Sequence, residues 1–282
     1  MSFTTLITPA ELAPLIGSGD LLILDCRHDL ADLSRGQRAY TQGHIPGAQY
    51  ADLNRDLSDL SKPGLGRHPL PDASAFAMTL ARWGYYSQQQ VVVYDDAGGA
   101  IAARAWWMLR LIGHDAVAVL DGGMPAWLAT GLVVDSVVPQ PEPTQVAINF
   151  KTGEIVYFDE LSKKLQSENV QLLDARGAPR FRGEVEPLDT VAGHIPGAIN
   201  RPFSSNLAVD GSFKSAPLLR DEFSALLGVH SAHTVIHSCG SGVTACHNLL
   251  AMEHAGLVGS RVFAPSWSGW ISDPTRPVAR GE

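Results

Sequence analysis

A cysteine followed by two glycines and two small hydroxyl residues is the stretch of this 282-residue chain best suited to do chemistry. It lies in Thr234–Leu250, TVIHSCGSGVTACHNLL. The segment reads as a short apolar strand over Thr234–His237, a small-residue loop that begins at Cys239, and an amphipathic helix entered near Thr244. Such a strand–loop–helix turn points several backbone N–H groups at one spot, and the helix N-terminus adds partial positive charge there. Donors that converge on a thiol favour the thiolate, which is the nucleophile. Gly240 and Gly242 let the backbone curl around the sulfur without a Cβ in the way. The plain alternative is a buried structural cysteine between strand and helix. The composition of the loop favours the nucleophile.

The elements that must position this loop occur twice. Leu22–Arg27 reads LILDCR and Leu172–Arg176 reads LLDAR. GHIPGA occurs at Gly43–Ala48 and again at Gly193–Ala198, an offset of 150 residues. Gln90–Asp95, QVVVYD, matches Thr234–Cys239, TVIHSC, at an offset of 144, and Asp121–Trp127 matches Ala264–Trp270 at 143. Four markers in the same order with a slowly drifting offset imply a duplicated domain. Between the copies, Ser136–Thr144 carries three prolines in nine residues. Proline removes amide donors and favours extended chain, so this stretch reads as a linker. The expected division is 1–138, a linker over 139–145, and 146–282. In each copy, strand-length apolar runs (Leu21–Leu24, Val91–Tyr94, Val117–Leu120; Val170–Leu173, Val235–His237, Arg261–Phe263) alternate with helical spacing over Ala73–Trp83, Ala100–Ile112 and Asp221–Leu227. That alternation predicts an α/β fold with a parallel sheet flanked by helices in each half. Ligands collect at the carboxyl ends of such strands, where Asp95 and Cys239 fall.

Composition excludes several classes. With 45% hydrophobic and 18% charged residues the chain can bury sizeable cores. A net charge of −8 argues against nucleic acid or an anionic membrane as partner. No apolar run reaches membrane-helix length, and no basic segment precedes an apolar one at the start. Three cysteines, Cys26, Cys239 and Cys246, form no disulfide framework, so a cytoplasmic location is expected. No Cys/His spacing suggests a metal, and no cofactor is expected. His44 and His194 read as turn residues that bond to backbone, Trp106, Trp107, Trp127 and Trp270 as packing residues, and Cys26 and Cys246 as core.

The paired LLDAR and GHIPGA markers, with CGSGVTA in the second half, resemble the tandem-domain rhodanese sulfurtransferases over roughly Leu6 to Trp270. The resemblance implies two rhodanese-like domains, with catalysis in the second. Asp95 stands where the first half would carry the cysteine. Its loop, DDAGGAIAAR, is acidic at the head and is expected not to cradle an anion, leaving the first half catalytically silent as a wall of the cleft. CGSGVTA is similar to the 3-mercaptopyruvate form, whereas thiosulfate enzymes carry cations just after the cysteine. Residues Gly240 to Thr244 carry no charge, which suits a monocarboxylate donor better than a dianion.

The resemblance also assigns residues. Cys239 would take the sulfur as a persulfide, held by loop amides that include those of Gly240, Gly242, Val243 and Thr244. Arg180 matches the substrate arginine, and its guanidinium fork suits a carboxylate. Arg176 and Arg182 read as surface or interdomain ion pairs. A further arginine of the mercaptopyruvate form is absent from the loop EVEPLDTVA, so Arg182 or a residue of the first half is expected to compensate. His68 matches a histidine that approaches Ser241, with Asn54, or Asp52 beside it, at the acidic third position of a proton relay. Ala264–Pro265 replaces the usual Asp-Gly, which alters one wall of the pocket. The implied partners are a small-molecule donor, 3-mercaptopyruvate or thiosulfate, and an acceptor that is cyanide or a thiol such as thioredoxin. The rivals are thiosulfate as main donor, a non-catalytic persulfide carrier, and a cysteine phosphatase. The last needs an arginine six residues after the cysteine; Ala245 stands there.

Overall fold

The computed structural model describes residues 2–166 and 170–282. The chain divides into two compact units. One comprises Met1–Asp59, Leu70–Lys151 and Val209–Phe213; the other comprises Leu60–Pro69, Thr152–Ala208 and Lys214–Glu282.

The first unit holds β1 (Leu6–Ile7), β2 (Leu21–Asp25), β3 (Gln49–Tyr50), β4 (Gln90–Tyr94) and β5 (Val117–Leu120). They form one sheet in the order β1-β5-β4-β2-β3, with every pair parallel. The second unit holds β6 (Ile155–Val156), β7 (Gln171–Asp174), β8 (Ala198–Asn200), β9 (Val235–Ser238) and β10 (Arg261–Phe263). Its order, β6-β10-β9-β7-β8, is the same topology strand for strand, again wholly parallel. The α/β fold with a parallel sheet in each half is therefore present. Because helices cover both faces, the inner strands are apolar end to end, without alternation. Val91, Val92 and Val93 are fully buried, as are Val117, Ala118 and Val119. The six strands read from apolar runs all form; the short edge strands β1, β3, β6 and β8 carry too few residues to stand out in the sequence.

The duplicated markers turn out to be one device. Asp25, at the end of β2, pairs with Arg27 through both carboxylate oxygens, and Arg27 Nη2 donates to the Gly43 carbonyl at 2.7 Å. Asp174 and Arg176 repeat this at the end of β7, with Arg176 Nη2 on the Gly193 carbonyl at 2.8 Å. The arginine of LLDAR thus anchors the chain just before HIPGA. Arg176, expected in a surface or interdomain pair, is buried instead, because a strand end in a covered sheet offers its partner no solvent. His44 bonds through its ring to the Tyr40 and Val137 carbonyls, and His194 to that of Phe181. Each histidine fixes its turn from within.

Candidate active site

β9 is the middle strand of its sheet, and its chain leaves at Ser238 directly into Cys239. The helix that follows spans Ala245–His254. Cys239 is buried, and the Gly242 amide donates to its Sγ at 3.2 Å. Gly242 has φ +78°, and a Cβ there would lie 2.3 Å from the Ala264 carbonyl oxygen, so only glycine closes this loop. Val243 is buried, and Thr244 sits at the helix entry without a side-chain cap. Cys246 is wholly buried, with its Sγ–H on the Gly242 carbonyl at 3.4 Å.

The chain after β10 straps the cysteine down. Trp267 N–H donates to the Cys239 carbonyl and Ser268 N–H to that of Gly240, both at 2.9 Å. Ser266 Oγ accepts from the Cys239 amide at 3.1 Å and lies 4.0 Å from Sγ. Ser266 is the one non-glycine residue with positive φ among the described residues, at +52°. The Ala264–Pro265 departure thus leads into a strained serine against the sulfur, which the sequence did not reveal.

His68 lies in the segment Leu60–Pro69, which belongs to the second unit. Its Nδ1 is 2.8 Å from Ser241 Oγ, and both side chains are buried. The segment is held by its backbone. Arg67 N–H donates to Ser268 Oγ at 3.0 Å, and Gly66 (φ +94°) leaves only 2.6 Å between a notional Cβ and the Pro265 carbonyl. Asp52, weighed as third member of a relay, accepts from the amides of Asn54 and Arg55 in its own loop.

Arg180 lies beside the loop, its Nη atoms 3.6 and 3.7 Å from where a Gly240 Cβ would be. Nη2 donates to Glu186 at 2.7 Å and to Asp189 at 3.2 Å. Burial pushes the Glu186 carboxyl up, but its bonds from Arg180 and the Leu188 and Asp189 amides outweigh this and hold it below the ordinary range. A second guanidinium stands closer still. Arg67 Nη2 is 3.0 Å from the same point, and Arg67 Nη1 bonds to Asp189. Arg182 pairs at the surface with Glu184. Of the two candidates, Arg67 of the first half of the sequence lies beside the loop, while Arg182 is paired with Glu184. Arg67 was legible only as the neighbour of His68. Asp189 and Glu186 gave no signal, since the loop that carries them drew notice for lacking an arginine.

The first unit holds the same turn, with Asp95 in the place of Cys239. The loop after β4 closes on the Asp95 side chain itself. Oδ1 accepts from the amides of Ala97 and Gly99, and Oδ2 from those of Ile101 and Ala102, all at 2.8 Å. Burial outweighs the pull of the four amides and holds this carboxyl above its ordinary range. An acidic residue at the head of the loop does not spoil the nest but fills it.

A duplicated parallel α/β unit with a buried cysteine at the end of its middle strand defines a class. The rhodanese-like domain family model matches residues 8–130 and 158–273, and the chain belongs to that family. The chain is 48% identical over 284 residues to a Pseudomonas aeruginosa protein named "Probable 3-mercaptopyruvate sulfurtransferase", covering 100% of both chains. It is 33% identical over 291 residues to the thiosulfate sulfurtransferase of Rattus norvegicus, covering 99% of this chain and 97% of that one. The solved 3-mercaptopyruvate sulfurtransferase from Leishmania major superposes with a TM-score of 0.83 at 32% identity, over 94% of this chain and 73% of that one. The protein is a sulfurtransferase. Among the described residues no helix is long and apolar enough to cross a membrane.

Proposed function

We propose that the chain takes sulfur from 3-mercaptopyruvate onto Cys239 and passes it to a thiol acceptor such as thioredoxin or a small thiol, or to cyanide. The observation that carries this reading is a buried loop cysteine two residues from a serine whose hydroxyl is bonded to His68. The Cys239 thiolate attacks the donor sulfur. The carbon–sulfur bond breaks, and its electron pair stays on carbon as the enolate of pyruvate. Ser241, backed by His68, delivers the proton that completes pyruvate. Cys239 keeps the sulfur as a persulfide, held by the amides of Gly240, Gly242, Val243 and Thr244. An acceptor thiolate then attacks the outer sulfur, the S–S bond breaks, and the Cys239 thiolate returns. Arg180 holds the donor carboxylate through its guanidinium fork. Three thiols and no disulfide fit a reducing compartment such as the cytoplasm.

Thiosulfate as main donor is the second reading. The uncharged loop disfavours it, but the arginines beside Gly240 supply the cations that the loop lacks. Asp189 and Glu186 offset those charges, which suits a monoanion better than a dianion. Turnover of both donors with cyanide as acceptor, on wild type and Cys239→Ser, separates the readings. We expect kcat/KM for mercaptopyruvate to lead by about tenfold or more, with one sulfur atom of added mass on wild type and none on the variant. A lead for thiosulfate transfers the assignment to the second reading. Persulfide without turnover of either donor leaves a carrier.

A further inference from the structure

Two positive side chains converge beside Gly240. Arg67 Nη2 and both Arg180 Nη atoms lie 3.0 to 3.7 Å from the point where a Gly240 Cβ would stand, one residue from Cys239. Like charges this close repel unless an anion lies between them. Asp189 partly supplies it, with Oδ1 on Arg67 and Oδ2 on Arg180. The Asp189 side chain is only 4% exposed, whereas Arg67 and Arg180 keep 28% and 21% of theirs. The carboxylate is therefore the buried anchor, and the cations are the face that solvent and solutes meet. Arg180 Nε is buried with no hydrogen-bond partner among the described residues, and so is a donor in want of an acceptor. The Arg67 backbone is fixed too, by its amide on Ser268 Oγ in the strap that holds Cys239 and Gly240.

Resting on the donor reading above, we propose that Arg67 is a substrate-binding residue, which grips the anionic head of the sulfur donor together with Arg180. Asp189 sets the spacing of the pair. Gly240 is required because any side chain there would occupy the space the anion takes.

The test compares Arg67→Gln and Arg67→Lys with wild type on two donors: 3-mercaptopyruvate, and 1-mercaptopropan-2-one, which lacks the carboxylate. Loss of a charge-assisted contact predicts a KM for mercaptopyruvate raised about ten- to a hundredfold in Arg67→Gln, with kcat changed far less. The kinetics on the carboxylate-free donor stay as in wild type, and Arg67→Lys recovers part of the KM. Equal losses on both donors would mean that Arg67 only supports the fold, and no change on either would mean that it touches no substrate; both overturn the proposal. If wild type fails to use mercaptopyruvate at all, the donor reading falls by itself. Protection of Cys239 from iodoacetamide by pyruvate then decides the role of Arg67. Protection weakened in Arg67→Gln upholds it, and equal or absent protection overturns it.

Discussion

Replacing Asp95 by asparagine tests whether the turn after the middle strand is an anion nest. The carboxylate receives four amides, two on each oxygen. Asparagine keeps the shape but has only one acceptor oxygen, so two amides must face an NH2 group. Whichever way the side chain turns, one of the stranded amides belongs to a fully buried bond, that of Gly99 or of Ala102. Each unmet buried donor costs about 1–3 kcal/mol, so the variant should lose about 2–5 kcal/mol. One effect opposes this. Burial pushes the Asp95 carboxyl up, so the neutral amide escapes a desolvation cost that the carboxylate bears. Because four short bonds serve a single charge, we expect the loss to dominate. Urea unfolding followed by tryptophan fluorescence and by circular dichroism, with the slope checked for constancy, measures it. An unchanged or raised midpoint would refute the reasoning. The four amide bonds would then add less to the stability of the fold than their geometry implies.

Two further outcomes follow from the second unit. His237 is wholly buried, with Nε2 3.0 Å from Ser260 Oγ, and burial pushes it down to about 3 from an ordinary 6.5. Between those values the unfolded chain binds the proton and the folded chain does not. Stability is therefore full above pH 6.5 and falls by about 1.4 kcal/mol per unit below it. Urea midpoints at pH 7.5 and 5.5 should differ less in His237→Gln than in wild type, and equal differences would sink the assignment. Ser266→Gly relieves a strained φ but removes the hydroxyl that accepts from the Cys239 amide. These terms, about 1–2 and about 1 kcal/mol, nearly cancel in stability. The rate of Cys239 alkylation should nonetheless fall, and an unchanged rate would show that the hydroxyl serves only the backbone.

How much the sequence disclosed depended on whether a feature was local. Strands with four or five consecutive apolar residues were legible because both faces are buried, and their order repeats because the markers repeat. The Cys239 loop was legible because strand, glycine spacing and helix lie in one run of chain. Arg67 and Asp189 meet across 122 positions, and Ser266 reaches Cys239 across 27. No periodicity encodes such meetings. The resemblance found Arg180 and His68 but pointed to Arg182 as one possible compensation. The segment carrying Arg67 is held to the second unit by backbone contacts at Gly66 and Ser268, which no composition signal announces. That the loop's own amides bind Asp95 was not legible either, because a charge at the head of a loop reads only as repelling anions.

The two units place different residues at the same turn of the same topology. Asp95 and Cys239 occupy the same place, and so do Gly123 and Ser266, which lie 143 positions apart. In the first unit Gly123 has φ +57° and approaches the Asp95 carbonyl so closely that a Cβ would sit 2.3 Å from it. Glycine adopts that conformation without strain, and the loop is saturated by its resident carboxylate. In the second unit a serine adopts nearly the same φ at a steric cost, and places its hydroxyl 4.0 Å from the sulfur. Cys239 Sγ accepts from the Gly242 amide, where the Asp95 carboxylate accepts from four amides. The same turn thus closes on four amides in the first unit and leaves a sulfur beside a strained hydroxyl in the second.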